Sequence, residues 1–300
     1  MNTDSFVIQP IANYHCKTGE NPLWDERRQR FFWEDIPNGR LFEYNPSPAP
    51  GSAGEHRMIF DCYPKPIGGF TFQDNGDLLL FRDADIARFN PDTGECQSLI
   101  DFHDEGVPRF NDVIACPDGS VLAGTMGKDL RGGLYHLATD GRITHLFRGT
   151  NCANGMAFTA DLKTFYWTDS TAKHIYAFDF SPDTSTLSNR RLLIDTTKLP
   201  GVPGVPDGMT IDTEGRLYST RWGGFAIYIH NPDGSLVRKI DMPVERISSC
   251  AFGGPDLDDL YVTTANPSGE TTSGGDGTLY RIRGLGVRGR TEFRSRILLP

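Results

Sequence analysis

Short runs of β-branched and aromatic residues alternate with polar turns along almost the whole chain. The clearest stretch runs from residue 153 to residue 194 and contains four such runs, ANGMAF, FYWTDS, HIYAFDF and NRRLLI. Asp, Pro, Ser and Thr separate them, and short runs bounded in this way are typical of antiparallel strands. The pattern predicts a four-stranded sheet in this part of the chain.

The same arrangement recurs, and each copy opens on a related short phrase. The six phrases are GENPLW (19–24), IGGFTF (67–72), FNDVIA (110–115), ANGMAF (153–158), PDGMTI (206–211) and ISSCAF (247–252). Their second residues are Glu20, Gly68, Asn111, Asn154, Asp207 and Ser248, so successive copies begin 41 to 53 residues apart. A period of this length, with four strands in each copy, is typical of a β-propeller.

These copies predict an all-β fold, a six-bladed β-propeller whose inner strands surround a central metal-binding channel. Because the copies fill the chain, we expect residues 1–300 to form a single domain, with blades starting near residues 20, 68, 111, 154, 207 and 248. One of the two terminal segments is expected to complete the last blade, because closing the ring removes a free sheet edge. Asn-Gly and Asp-Gly pairs predict hairpin turns at 75–76, 118–119, 140–141 and 233–234.

The composition is that of an ordinary globular protein and argues against several functional classes. The net charge of −9, with no cluster of Lys or Arg, argues against nucleic acid or an anionic membrane surface as a partner. We find no apolar run long enough to cross a bilayer and no signal-peptide pattern at the N-terminus. The six cysteines are scattered without a CxxC pair, so no disulfide framework is indicated. We expect a cytoplasmic protein, and no protein partner can be inferred.

Candidate chemistry comes from the positions that the repeat brings together. Equivalent positions of the inner strands converge on the channel, and four of them are Glu20, Asn111, Asn154 and Asp207. Two carboxylates in a narrow channel repel each other unless a proton or a cation lies between them. The oxygen-rich set predicts one divalent metal ion, for which Ca²⁺, Mg²⁺, Mn²⁺ and Zn²⁺ are all candidates.

Arg109 precedes Asn111 by two residues, a spacing that places both side chains on one side of a strand. Its guanidinium is therefore expected to reach over the same cavity and bind a polar substrate. The alternative is structural. Arg109 would then form a salt bridge with Asp112 or with a neighbouring blade, and the Asn-Gly and Asp-Gly pairs at 154–155 and 207–208 would serve turns.

Several motifs resemble those of the SMP-30/gluconolactonase family. They are GENPLW, RFND followed by AGTM, NGMAF followed by FYWTDS, PDGM followed by a D-x-x-G turn, and CAFGGPDLDDLYVTTA. They occur in the family's order over nearly the whole chain, and the ending GVRGRTEFRSRI is similar to the sugar-lactonase branch. The resemblance implies a six-bladed propeller that holds one divalent metal in its channel and hydrolyses aldonolactones.

The resemblance also implies which residues carry the chemistry. Glu20, Asn154 and Asp207 match the family's metal ligands, and Asp207 also matches the carboxylate taken as general base. On this basis the metal would polarise the carbonyl of a sugar lactone while Asp207 activates water, giving the aldonic acid. Three protein ligands would leave positions open for water and substrate.

Substrate binding follows from the same resemblance. Arg109 and Asn111 match the family's substrate-binding residues, and in the segment GKDL either Asp129 or Lys128 would replace an acidic substrate contact that many members carry after AGTM. Two other functions stay open. One is a calcium-binding or scaffold propeller without turnover, and the other is a propeller esterase or phosphotriesterase. The polar residues at 109 and 111 favour a small sugar lactone as the substrate.

Overall fold

Six antiparallel sheets of four strands each form a ring in the computed structural model, which describes residues 6–46, 54–199, 201–269 and 275–298. Their innermost strands contact one another in ring order, and the last of them contacts the first. The predicted six-bladed β-propeller is therefore confirmed. Helix is almost absent from the described ranges: a 3-10 turn at Thr196–Lys198 is present, and no helix there is long and apolar enough to cross a membrane.

The strands follow the predicted repeat. An N-terminal strand, β1 (Val7–Asn13), precedes the first blade. Blade 1 contains β2 (Gly19–Asp25), β3 (Arg30–Asp35), β4 (Arg40–Asn45) and β5 (Glu55–Asp61). Blade 2 contains β6 (Ile67–Phe72), β7 (Leu78–Arg82), β8 (Asp85–Phe89) and β9 (Cys96–Asp101). Blade 3 contains β10 (Arg109–Ala115), β11 (Val121–Met126), β12 (Gly132–Leu137) and β13 (Ile143–Thr150).

The second half of the chain repeats this order. Blade 4 contains β14 (Ala153–Phe158), β15 (Thr164–Asp169), β16 (His174–Ser181) and β17 (Thr186–Asp195). Blade 5 contains β18 (Val205–Ile211), β19 (Leu217–Trp222), β20 (Ala226–His230) and β21 (Leu236–Asp241). Blade 6 contains β22 (Ile247–Gly253), β23 (Asp259–Thr264) and β24 (Thr278–Arg283), and β1 is its fourth strand. Each predicted blade start lies within an innermost strand.

Burial falls from the channel to the rim of each blade. The inner strands β6, β14 and β22 are buried along their whole length, whereas the outer strands β5, β9 and β21 are largely exposed. Six apolar clusters fill the six interfaces between neighbouring blades. Alternating side chains of one strand serve two interfaces, so that in β3 Phe31 and Trp33 face blade 6 while Phe32 faces blade 2.

Both ends of the chain tie the ring together. Strand β1 pairs with β24, so the N-terminal segment is the one that completes the last blade. The C-terminal segment, residues 284–298, forms no strand and crosses the blades instead. Its backbone bonds to Thr213 of blade 5, Leu257 of blade 6, Phe72 of blade 2 and Gly119 of blade 3. The segment thereby closes one end of the channel.

Candidate functional site

A cavity of about 400 Å³ lies at one end of the channel, where the predicted residues meet. Glu20, Asn111, Asn154 and Asp207 line it together with Arg109. The other lining residues are Thr18, Ile36, Met126, Cys152, Ser170, Thr171, Val205 and Trp222. Residues from four different blades thus converge on a space large enough for a small ligand.

The strand pairing is interrupted at the positions that form this cavity. In all six blades the register between the first and second strands shifts next to the channel residue, for example between Glu20 and Leu23 and between Asn154 and Met156. Such bulges turn a strand locally and change the direction of its side chains. The repeated bulge is the local feature that directs Glu20, Asn111, Asn154 and Asp207 towards the channel.

The glycines that follow two of these residues permit close strand approach and do not form turns. Gly155 and Gly208 lie inside β14 and β18. A Cβ on Gly155 would lie 2.6 Å from the backbone oxygen of Asp207, and one on Gly208 would lie 2.1 Å from Ser249 Oγ. The turn interpretation of these two pairs is therefore wrong. The predicted turns at 75–76, 118–119, 140–141 and 233–234 are confirmed, each with its glycine at positive φ.

A chain of hydrogen bonds crosses the cavity from blade 3 to blade 5. Arg109 Nη1 donates to Asn111 Oδ1 at 2.8 Å, and Asn111 Nδ2 donates to Asn154 Oδ1 at 2.8 Å. Asn154 Nδ2 donates to Ser170 Oγ at 2.9 Å. Ser170 Oγ donates to the backbone oxygen of Pro206 at 2.6 Å. This series of hydrogen bonds ends at Pro206, the residue before Asp207.

This hydrogen-bond network fixes the orientation of the side-chain amides of Asn111 and Asn154. Because the single proton of the Ser170 hydroxyl goes to Pro206, its oxygen must accept from Asn154, which directs Nδ2 of Asn154 to Ser170. The Asn154 Oδ1 atom then accepts from Asn111 and keeps a second lone pair. An amide oxygen held in this way is a pre-oriented ligand for a hard cation.

The two carboxylates of the site are deeply buried and repel each other. Glu20 and Asp207 are 5% and 6% exposed. Burial raises the pKa of Glu20 well above its usual range, and the charges of Asp207 and Asp112 raise it further. Burial also raises the pKa of Asp207, with Asp112 adding to the increase and the Arg109 guanidinium opposing it. The negative charges of the two carboxylates are therefore not fully neutralised by the protein.

The donor set fits a divalent metal ion. No described hydrogen bond uses the Asp207 carboxylate, and Glu20 Oε2 accepts one, from the backbone of Asn21 at 2.9 Å. Two carboxylates and one fixed amide oxygen line the same cavity, which is the oxygen chemistry that Ca²⁺, Mg²⁺ and Mn²⁺ prefer. In the described residues no group of three or more His, Cys, Asp or Glu side chains could hold a metal ion. The third oxygen donor of this site is the amide of Asn154, which is not one of these residue types.

Arg109 lines the cavity beside Asn111. Nη1 donates to Asn111 Oδ1 and to the backbone oxygen of Phe110, at 2.8 and 2.7 Å. In the described part of the chain it forms no salt bridge, so the alternative of a pair with Asp112 is not what the structure shows. Its other N–H groups make no described hydrogen bond and are available to a ligand.

Asp129 and Lys128 are not brought to the cavity. Both are exposed and lie in the connection between β11 and β12, and neither lines the space that Arg109 and Asn111 share. Asp129 and Leu130 adopt φ values of 52° and 59°, so this connection is a tight turn on the surface. A substrate contact through Asp129 stays a prediction.

Some cavity residues were not predicted, although the hairpin register contains a signal for them. Met126 pairs with Arg109, and Trp222 pairs with Val205, so second-strand ends reach the same rim as the first-strand residues.

Glu34 pairs with Glu20 and is completely buried, and neither of its oxygens has a hydrogen-bond partner. Burial raises the pKa of Glu34 well above its usual range, and the Arg109 guanidinium opposes this increase.

Comparison with known proteins assigns a family. The family model described as SMP-30/Gluconolactonase/LRE-like region matches residues 18–266. Pentonolactonase XacC of Haloferax volcanii is 38% identical over 98% of this chain and 99% of its own length. Regucalcin of Xenopus laevis is 31% identical over 95% and 97%. The solved structure of a luciferin-regenerating enzyme matches with a TM-score of 0.86 at 28% identity, over 97% of this chain and 100% of that one. The chain belongs to the SMP-30/gluconolactonase family.

Proposed function

We propose that this protein is a metal-dependent lactonase that hydrolyses an aldonolactone to the aldonic acid. The observation that carries the proposal is the single cavity in which Glu20, Asn154 and Asp207 lie beside Arg109 and Asn111. A cation-binding donor set next to a cationic side chain with free N–H groups suits a polar, uncharged substrate. The 38% identical relative named pentonolactonase, matched over 98% of this chain, supports lactone hydrolysis.

The proposed metal ligands are Glu20, Asn154 and Asp207, and the ion is Ca²⁺, Zn²⁺, Mn²⁺ or Mg²⁺. When bound, the cation would polarise the lactone carbonyl and stabilise negative charge on its oxygen. The protein's own contribution is to hold these three oxygen donors in place. Asn154 is held by its bonds to Asn111 and Ser170, and Glu20 by the backbone of Asn21.

Asp207 is the proposed general base. Its carboxylate would accept a proton from water as the water oxygen bonds to the carbonyl carbon. The bond between that carbon and the ring oxygen then breaks, and the ring oxygen takes the proton that Asp207 accepted and becomes a hydroxyl group. Because no described hydrogen bond occupies this carboxylate, one of its oxygens would be free for the proton while the other would hold the metal.

Arg109 and Asn111 are proposed to orient the substrate. The described bonds of Arg109 use Nη1, which leaves the rest of its guanidinium for the hydroxyl groups of a sugar. The backbone bond from Nη1 to Phe110 limits the motion of the side chain. Such positioning lowers the entropic part of the barrier without taking part in bond making.

The remainder of the cavity favours a compact lactone. Ile36, Met126, Val205 and Trp222 form an apolar part of its lining, and Asp129 lies outside it. A hydroxymethyl group buried against apolar side chains would lose its water without a partner, at a cost of about 1–3 kcal/mol. We therefore propose pentonolactones as the preferred class, in agreement with the name of the Haloferax relative.

The apolar lining also favours a second candidate, an esterase that acts on aryl esters. The test is acid release measured with a pH indicator on pentonolactones, hexonolactones, phenyl acetate and an aryl phosphotriester, with spontaneous hydrolysis subtracted. We expect kcat/KM for a pentonolactone to exceed that for the best hexonolactone at least tenfold. Faster turnover of phenyl acetate than of any lactone would favour the esterase. Metal binding without turnover of any substrate would favour a calcium-binding protein and contradict the proposal.

A further inference from the structure

A second cavity, of about 40 Å³, lies deeper along the same inner strands. Its lining comes from β2, β6, β10, β14, β18 and β22 and from the C-terminal segment, residues 284–298. It shares no lining residue with the larger cavity that contains Glu20 and Asp207. The two cavities are therefore separate sites along one channel.

Two carboxyl groups line this smaller cavity, those of Asp112 on β10 and Glu292 in the C-terminal segment. Neither forms a salt bridge within the described residues. Burial raises the pKa of both groups to about 7, and the charge of Asp112 contributes to the increase at Glu292. No basic side chain lowers the pKa of either group. The cavity thus holds two acids without a positive partner.

A third oxygen faces the same space. Ser249 lines the cavity and is 6% exposed, and its hydroxyl makes no hydrogen bond within the part of the chain that the structure describes. The glycine at position 208 leaves room for this hydroxyl, because a Cβ there would lie 2.1 Å from Ser249 Oγ. This hydroxyl lies in the cavity that contains the two carboxyl groups, so its lone pairs are open to a ligand there.

We infer that the smaller cavity is a second cation site, in which Asp112, Glu292 and the Ser249 hydroxyl bind a hard metal ion. Carboxylate and hydroxyl oxygens suit Ca²⁺, which accepts irregular coordination, better than Mg²⁺, which keeps several waters of its own. A space of about 40 Å³ holds one ion with about one or two waters. The ion would also neutralise two charges that otherwise repel each other inside the protein.

The site can be tested by counting bound Ca²⁺ at equilibrium in wild-type protein and in variants of each cavity. Glu292→Gln keeps the size of the side chain and removes its charge, whereas Glu20→Gln changes the larger cavity. At a free Ca²⁺ concentration that just saturates wild type, we expect Glu292→Gln to bind one Ca²⁺ fewer per chain, because loss of the carboxylate charge weakens binding of the ion. We expect the Glu20→Gln/Glu292→Gln double variant to bind one fewer than Glu20→Gln alone. Glu214→Gln, at an exposed turn, is the matched control and should leave the count unchanged.

The inference is overturned if Glu292→Gln binds as many ions as wild type. Ser249→Ala should weaken the same ion about tenfold, which checks the third ligand. If Glu292→Gln does not fold, crystals of the wild type grown with Ca²⁺ or Mn²⁺ give the answer through anomalous scattering. A peak between Asp112 and Glu292 supports the site, and no peak there contradicts it. None of these counts depends on lactone hydrolysis, so the proposed function and this site can fail separately.

Discussion

Asn111 donates a hydrogen bond of 2.8 Å from its side-chain nitrogen to the side-chain oxygen of Asn154. The bond joins two neighbouring blades, and it also joins a proposed substrate-binding residue to a proposed metal ligand. Asn111 in turn accepts from Arg109 at 2.8 Å. Substrate orientation and metal binding are therefore expected to depend on one shared network.

Asn111→Ala should weaken metal binding as well as substrate binding. Loss of the donor leaves the Asn154 amide held by its bond to Ser170 without the bond to Oδ1. Removal of a residue that orients a metal ligand typically lowers metal affinity about 10- to 100-fold. Titration calorimetry of the chelator-stripped variant with divalent metals measures this directly. Asn75→Ala, at an exposed hairpin turn, is the control. An unchanged metal affinity in Asn111→Ala would show that the network does not position Asn154.

A comparison of Asp207→Asn with Glu20→Gln should distinguish the proposed general base from a residue that is proposed to bind the metal alone. Both changes remove one negative charge from the cavity, and both keep an oxygen that can bind the cation. At saturating metal we expect Asp207→Asn to lose at least about 100-fold in kcat, because no carboxylate remains to take the proton from water. Glu20→Gln should recover most of its kcat once enough metal is added. Equal recovery of both variants would contradict the role assigned to Asp207.

Asp129→Asn tests the contact that the resemblance suggests and the geometry does not support. Because the Asp129 side chain is exposed and outside the cavity, we expect kcat/KM for a pentonolactone to change less than about twofold, as for other surface substitutions. Lys128→Gln is the companion variant and should behave in the same way. A tenfold loss confined to Asp129→Asn would show that the turn after β11 reaches the substrate.

The repeat explains why the fold and the inner part of the site could be predicted from the sequence. Equivalent positions in a propeller converge on one channel, so aligning six short phrases placed Glu20, Asn111, Asn154 and Asp207 together without any structure. Four Asn-Gly and Asp-Gly pairs form the predicted turns, but the alternative turn interpretation does not hold at 154–155 and 207–208, because glycine serves both tight turns and close strand approach. Only the packing of Gly155 against the backbone of Asp207 distinguishes the two.

Features outside the repeating unit could not be predicted in this way. The turn that carries Asp129 and the C-terminal segment that carries Glu292 have no counterpart in other copies, so no alignment indicates where they lie. The apolar lining residues Met126 and Trp222 come from second strands, and their position depends on hairpin register. A bulge in each inner strand shifts that register, so residue counting alone does not reach them.

His230 should make the folded state sensitive to acid. Its side chain is fully buried and one ring nitrogen has no partner, and burial lowers the pKa of His230 from 6.5 to about 4. Since the unfolded chain binds the proton first as the pH falls below 6.5, this residue should reduce the free energy of unfolding between pH 6.5 and pH 4. The full effect is about 3 kcal/mol.

Denaturant unfolding of wild type and His230→Gln at pH 7, 5.5 and 4.5 measures this effect as a difference. Buried acids such as Glu34 change the pH dependence in the opposite direction, but they are present in both proteins and cancel in the comparison. Wild type should lose stability relative to the variant as the pH falls. If the difference in free energy of unfolding between the two proteins stays constant across this range, the pKa of His230 is the same in the folded and unfolded states.

The most direct test of the central claim is metal add-back to chelator-stripped protein, with acid release from a pentonolactone followed by a pH indicator. The account predicts no hydrolysis above the spontaneous rate until a divalent metal is added, and restored hydrolysis that follows occupancy of the site formed by Glu20, Asn154 and Asp207. Full activity of the stripped protein, or tight metal binding without hydrolysis of any lactone, would contradict it.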